Sequence, residues 1–182
     1  RRSEILGLRW KDVDLDMATL SVVQVLHHLR DGRTVFQEPK TAKGRRMVAL
    51  SPMAVLALRG HRERQEAERL LLGIPLASEA SVFSHPDGSP FLPDSVTHAF
   101  AKIARRAGLQ GIRLHDLRHT HASLMLRQGV HPKIVSERLG HSTISITLDT
   151  YSHVLPGLQE AAAQRFDDDI AERQPTETTA IS

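Results

Sequence analysis

The sequence predicts a mainly α-helical domain with a small three-stranded antiparallel β-meander near its start. Three observations carry that prediction. A run rich in β-branched residues, Thr19 to Leu26, is followed by the hairpin signal Asp31-Gly32 and a short return segment. From Ser51-Pro52 onward the punctuation becomes helical, with Pro at the starts of segments and Gly at their ends. The composition over 182 residues, 40% hydrophobic and 25% charged, is that of a globular chain able to bury one substantial core.

In chain order, Ser3 to Leu8 is expected as a short helix capped by Ser3. Thr19 to Leu26, Thr34 to Gln37 and Arg46 to Leu50 are the three strands of the meander, with Pro39 to Gly44 connecting the last two. Ser51 caps a long helix reaching about Leu72. The Gly-, Pro- and Ser-rich stretch from Gly73 to Pro93 offers only Val82-Phe83 as a strand candidate. Asp94 or Ser95 is expected to cap a helix ending near Gly108. Helices are then expected at His115 to Arg127, Pro132 to Leu139 (stopped by Gly140), Thr143 to Asp149 and Pro156 to Phe166. The domain boundary falls at Phe166, and residues 167–182 are expected to be an acidic, disordered tail.

Composition narrows the function classes. The absence of cysteine excludes disulfides and thiolate metal sites, and a reducing cytoplasm is the default setting. No apolar run reaches the length of a membrane span. The net charge of +3 hides an uneven distribution. Up to Gln159 there are 22 bases against 15 acids, and from Glu160 on six acids against two bases. A basic body in which Arg outnumbers Lys suits phosphate contacts, although many soluble proteins share it.

The chemistry is concentrated between His115 and Tyr151. His115 and Arg118 stand three residues apart on one expected helix face, beside an apolar stripe of Leu114, Leu117, Leu124 and Met125 that would anchor the helix. His141 follows Gly140 just past a helix end, and Tyr151 is the only tyrosine. Taken singly, each has a bland reading: a solvated helix edge, a surface histidine, a packed phenol. Together they complement one task. A phenol with a reference pKa of about 10 needs a partner for its proton before it can attack. Imidazoles can accept that proton or hold a phosphate oxygen, and arginine offers a permanent clamp for charge on phosphorus.

In these residues the chain resembles the phage integrase family, the tyrosine site-specific recombinases. The resemblance rests on His115-Asp116-Leu117-Arg118, Leu139-Gly140-His141 and a Tyr ten residues further on. Arg1-Arg2-Ser3-Glu4 looks like a family box cut at its first catalytic arginine, and the chain, lacking an initiator Met, reads as a piece of a longer protein. Lys40-Thr41 ahead of Arg45-Arg46 resembles the family's lysine turn, with Lys43 as a close neighbour. The resemblance implies a recombinase catalytic-domain fold and catalytic residues Arg1, Lys40, His115, Arg118, His141 and Tyr151. It assigns Tyr151 the attack on a DNA phosphate, Arg1 and Arg118 the phosphate clamp, Lys40 the general acid, His115 proton transfer and His141 a hydrogen bond to phosphate. Glu4 and Asp116 would orient the arginine and histidine. Neither metal nor other cofactor is implied. The implied partners are double-stranded DNA, further copies in a homotetramer on DNA, and an accessory or excision factor. Pro156 to Phe166, with Leu158, Ala162 and Phe166 on one face, would pass to a neighbouring protomer or pack on its own domain.

Two alternatives remain open at this point. One is a DNA-binding piece without chemistry of its own. The other is a metal-dependent phosphohydrolase built on His115, Asp116, His119, His121 and His141, since His at i and i+4 suits zinc. It lacks acidic ligands at the right spacing and leaves Arg118 and Tyr151 without a task.

Overall fold

The structure, a computed structural model, describes residues 1–152 and 158–172. It opens with helix α1 (Arg2–Gly7), which starts one residue earlier than expected, with Arg1 rather than Ser3 at the N-cap. Gly7 ends this helix where the backbone of the next sheet passes closest. A Cβ there would stand 2.8 Å from the Gln24 carbonyl oxygen and 2.9 Å from the Val25 Cα, so only glycine fits.

The expected meander is two sheets instead. Strands β1 (Val13–Asp14), β2 (Thr19–Val22) and β5 (Arg46–Ala49) form one antiparallel sheet in the order β1-β2-β5, with Leu20 opposite Val48. Strands β3 (Val25–His28) and β4 (Thr34–Gln37) form a separate hairpin. The single strand expected from Thr19 to Leu26 therefore breaks at Val23-Gln24. Val22 and Val25 are both buried, yet three residues apart on a straight strand they would face opposite sides. The bend buries both, and the Gln24 amide fixes it by donating to the Gly7 carbonyl at 2.8 Å.

Helix α2 (Pro52–Leu71) is capped as expected, the Ser51 hydroxyl accepting from the Ala54 N–H at 3.3 Å. It covers a core of Leu8, Trp10, Val13 and Val82. Buried Gln65 on α2 accepts from the Trp10 indole at 2.7 Å and donates to Ser84 at 3.0 Å, tying that core to the loop beyond the helix. Val82-Phe83 forms no strand; the pairing there is limited to isolated bridges, Arg9 with Ser81 and Ser84 with Pro90. Helix α3 (Pro93–Arg106) has Leu92 at its N-cap and no side-chain cap, so neither Asp94 nor Ser95 takes that place. Asp94 instead pairs with Arg2.

Helices α4 (Asp116–Arg127), α5 (Pro132–Leu139) and α6 (Ile144–Tyr151) enclose a second core of Ala122, Leu126, Val135, Leu139 and Tyr151. The anchoring face of α4 matches the expected stripe only in part: Met125 packs against this core. Leu117 and Leu124 are about half exposed, while Ala122 and Leu126 are buried. That inward face continues back one and two turns to Arg118 and His115, so the polar motif lies in line with the core. Helix α6 runs two residues past Asp149, which places Tyr151 in its last turn. The final helix α7 (Leu158–Glu172) passes the expected end at Phe166, so Asp167 and Asp168 are helical. Pro156 and the tail from Arg173 lie outside the described residues.

Candidate active site

The C-terminus of α5 is the seat of the site. A helix end leaves carbonyls without intrahelical partners. Here the Gly140 N–H returns to Glu137 and the His141 N–H to Ser136, both at 3.0 Å, in the close favoured by a left-handed residue. Gly140 supplies it with φ +65°. The carbonyls of Arg138, Leu139 and Gly140 remain, and each receives a guanidinium. Arg46 Nε reaches Arg138 at 2.8 Å, Arg118 Nη2 reaches Leu139 at 2.6 Å, and Arg1 Nη2 reaches Gly140 at 3.2 Å. The negative end of the helix dipole faces this positive cluster.

Glu4 supplies the counter-charge. Its buried carboxylate accepts from Arg1 at 2.6 Å and from Arg46 at 2.8 Å. Burial alone would push this carboxyl up, but hydrogen bonds and charge from Arg46 and Arg1 hold it at about 2. Arg118 is pulled down to about 10 by burial and by the neighbouring Arg1 charge, and so stays cationic at neutral pH.

His141 points into the same field. Burial, then the charges of Arg118, Arg1 and Arg46, lower it to about 4, so the ring is neutral at pH 7. Its Nδ1 lies 2.8 Å from the hydroxyl of fully buried Thr147 on α6. A hydroxyl donating to Nδ1 leaves the proton on Nε2, free to donate to an anion. His115, just before α4, is lowered by burial and by the adjacent His119 and Arg118.

Two clefts meet at α1. One, of about 630 Å³, is lined by Arg1, Glu4, Arg46, His115 and Arg118. The other, of about 420 Å³, is lined by Arg1, Glu4, Lys40 and His141. Lys40 is exposed at its rim, whereas Lys43 is engaged, its Nζ donating to the Ser142 carbonyl at 2.6 Å. Tyr151 lines neither cleft. It is only 3% exposed, and its hydroxyl lies 2.9 Å from His119 Nδ1. Burial raises its pKa, against a smaller downward pull from Arg118.

Five of the six expected residues, Arg1, Lys40, His115, Arg118 and His141, therefore border the adjoining clefts, and Tyr151 sits behind them within the field of Arg118. Glu4 orients Arg1, as expected. Asp116 does not orient Arg118 or His115; it accepts from the backbone and side chain of Arg113 at 2.8 and 2.9 Å, which pins the turn before α4. The residues of the metal alternative are dispersed among other partners: Asp116 on Arg113, His119 on Tyr151, His121 on Arg138 and His141 on Thr147. Among the described residues no three His, Asp or Glu side chains converge as a metal site requires.

Thr147 is a participant that sequence reasoning did not single out, while Arg46 was read only as part of the basic strand start and His119 only as a candidate metal ligand. Arg46 carries only the weak signal of a basic strand start. His119 lies one turn after His115, and a threonine in a helix is unremarkable until its hydroxyl is seen to meet a ring.

The sequence matches the Phage integrase family over residues 1–157, and the chain belongs to that family. It is 33% identical to a XerC-like tyrosine recombinase of Caldanaerobacter subterraneus over 179 residues, covering 92% of this chain and 46% of that protein. It is also 33% identical to the ICEBs1 integrase of Bacillus subtilis, covering 92% of this chain and 45% of that protein. The chain thus spans about half the length of these relatives. Among solved structures, the Tn1549 transposon integrase in complex with transposon right end DNA superposes with a TM-score of 0.74 at 23% identity, over 91% of this chain and 54% of that one. XerA recombinase superposes with a TM-score of 0.65 at 23% identity, over 91% of this chain and 53% of that one. The fold is that of a tyrosine recombinase catalytic domain. Among the described residues no helix is long and apolar enough to cross a membrane.

Proposed function

We propose that this chain is the catalytic domain of a site-specific DNA recombinase, with double-stranded DNA as its substrate and residues 1–166 as the working unit. Tyr151 attacks the scissile phosphate, its oxygen bonding to phosphorus as the 5′ oxygen departs, which leaves a 3′-phosphotyrosyl link and a free 5′-hydroxyl. Arg1 and Arg118 clamp the non-bridging oxygens, His141 donates to one of them from Nε2, and Lys40 protonates the leaving oxygen. His115, exposed beside Arg118, assists proton transfer. The phosphotyrosyl bond retains the energy of the broken phosphodiester, so an incoming 5′-hydroxyl reverses the step without ATP.

The observation that carries this reading is the seating of three guanidiniums on one helix end, backed by Glu4, next to the chain's single tyrosine. Such a cluster has spare N–H donors fixed in advance where pentacoordinate phosphorus accumulates charge. The relatives' names and the DNA bound by the Tn1549 integrase support the same substrate. Assembly as a homotetramer on DNA, aided by an accessory factor and acting in the cytoplasm, completes the proposal. The exposed apolar side chains Phe166 and Ile170 on α7 offer a surface for the contact between protomers.

The test uses a nicked duplex carrying the recombination site, on which cleavage cannot reverse. A covalent protein–DNA product is expected in the presence of EDTA, and Tyr151→Phe should eliminate it. Adduct formation by Tyr151→Phe, or its abolition by EDTA, would refute the assignment.

A further inference from the structure

We infer that His119, rather than His115, is the immediate proton acceptor of the attacking tyrosine. This rests on the recombinase reading and assigns to the same site a residue that the six-residue set leaves out. His119 Nδ1 stands 2.9 Å from the Tyr151 hydroxyl. The His115 ring meets His119 edge-on, with 5.2 Å between centroids, on the cleft side. A general base has to be within hydrogen-bond reach of the proton that it removes, and His119 meets that condition. The tilted approach of the two rings, 5.8 Å between centroids, leaves the phenol oxygen directed at the ring nitrogen rather than at the ring face.

Position on the helix supports the assignment. Arg118 and His119 are adjacent on α4, so the residue that binds the phosphate and the residue that holds the nucleophile's proton move together. Tyr151 is the last residue of α6, packed on the α4–α5 core through its ring. Its hydroxyl is the polar end of an otherwise apolar burial, and a buried hydroxyl needs a partner. His119 is that partner in the resting state.

In the cleavage step the Tyr151 O–H bond breaks as the O–P bond forms. The proton passes to His119 Nδ1, the ring becomes imidazolium with its other proton on Nε2, and the 5′ oxygen leaves with a proton from Lys40. On religation the same proton returns from His119 to the phenol. The proton balance at the nucleophile is thus closed within one pair of side chains.

The test compares His119→Ala and His119→Asn on the nicked duplex. Asparagine presents a hydrogen-bonding atom near the Nδ1 position but cannot take up a proton. Both variants should cleave about 100-fold more slowly than wild type, and imidazole added to the buffer should partly restore His119→Ala. A duplex with sulfur in place of the leaving 5′ oxygen needs no general acid, so it should rescue Lys40→Ala and leave both His119 variants slow. Wild-type cleavage by His119→Asn, or rescue of the His119 variants by the sulfur substrate, would overturn the inference. Failure of the wild-type protein to form any Tyr151 adduct would instead bring down the recombinase reading on which it rests.

Discussion

Glu4 decides whether Arg1 and Arg46 can sit side by side before DNA arrives. Removing one partner from a buried ion pair leaves uncompensated charge, which costs about 3 kcal/mol. Glu4→Gln is therefore expected to lower unfolding free energy at pH 7 by about 3 kcal/mol in urea titrations. The sign of the pH dependence follows from the low Glu4 pKa of about 2. A folded-state value below the unfolded one gives stability that is present above about pH 4.5 and lost as the pH falls toward 2. Wild type and Glu4→Gln should converge across that window. At this scale much was legible: the histidines, Arg118 and Tyr151 declare themselves by spacing within one stretch of chain. Arg46 and Thr147 did not, because their roles depend on contacts with Arg138 and His141, 92 and six residues away.

The α5 terminus turns a short motif into a scaffold. Gly140 at φ +65° closes the helix, and a Cβ there would lie 2.8 Å from Arg46 Nη1. Gly140→Ala is expected to cost about 1–2 kcal/mol from the left-handed backbone alone. It should also slow DNA cleavage by displacing Arg46 from the Arg138 carbonyl, which parallel denaturation and cleavage assays would show. Helix bounds were readable at Pro52, Pro132 and Gly140, but not at Pro93, where the helix starts ahead of the polar residues expected to cap it. The sheet was not, because the β-branched run from Thr19 to Leu26 carries no turn residue at Val23-Gln24. Its bend is imposed by α1 packing and by the Gln24 to Gly7 hydrogen bond. The inward face of α4 was read only in part for a similar reason: Met125 does pack inward, but Leu117 and Leu124 do not, and Ala122 is the small residue that lets α4 approach its neighbours.

Over the whole molecule, acid and salt act on the same cluster. His141, at about 4, is held neutral in the fold, so its contribution is present above about pH 6.5 and is lost as the pH falls toward 4. Thermal melts from pH 7 to 3 should therefore show a first decline beginning below about 6.5, smaller in His141→Gln, where only the lowered His115 and His121 remain to contribute, followed by the Glu4 decline. Affinity for duplex DNA should fall steeply with salt, by at least roughly tenfold between about 50 and 200 mM, because the basic body meets phosphate largely through charge. The central claim is that Tyr151 carries the DNA. The most direct measurement is mass spectrometry of the peptide that remains linked to DNA after cleavage of a nicked duplex and digestion with trypsin. The account predicts the Leu139–Arg165 peptide, the first tryptic product beyond Arg138, with the 3′-phosphate on Tyr151. A phosphate on any other residue, or DNA cut with no peptide attached, would contradict it.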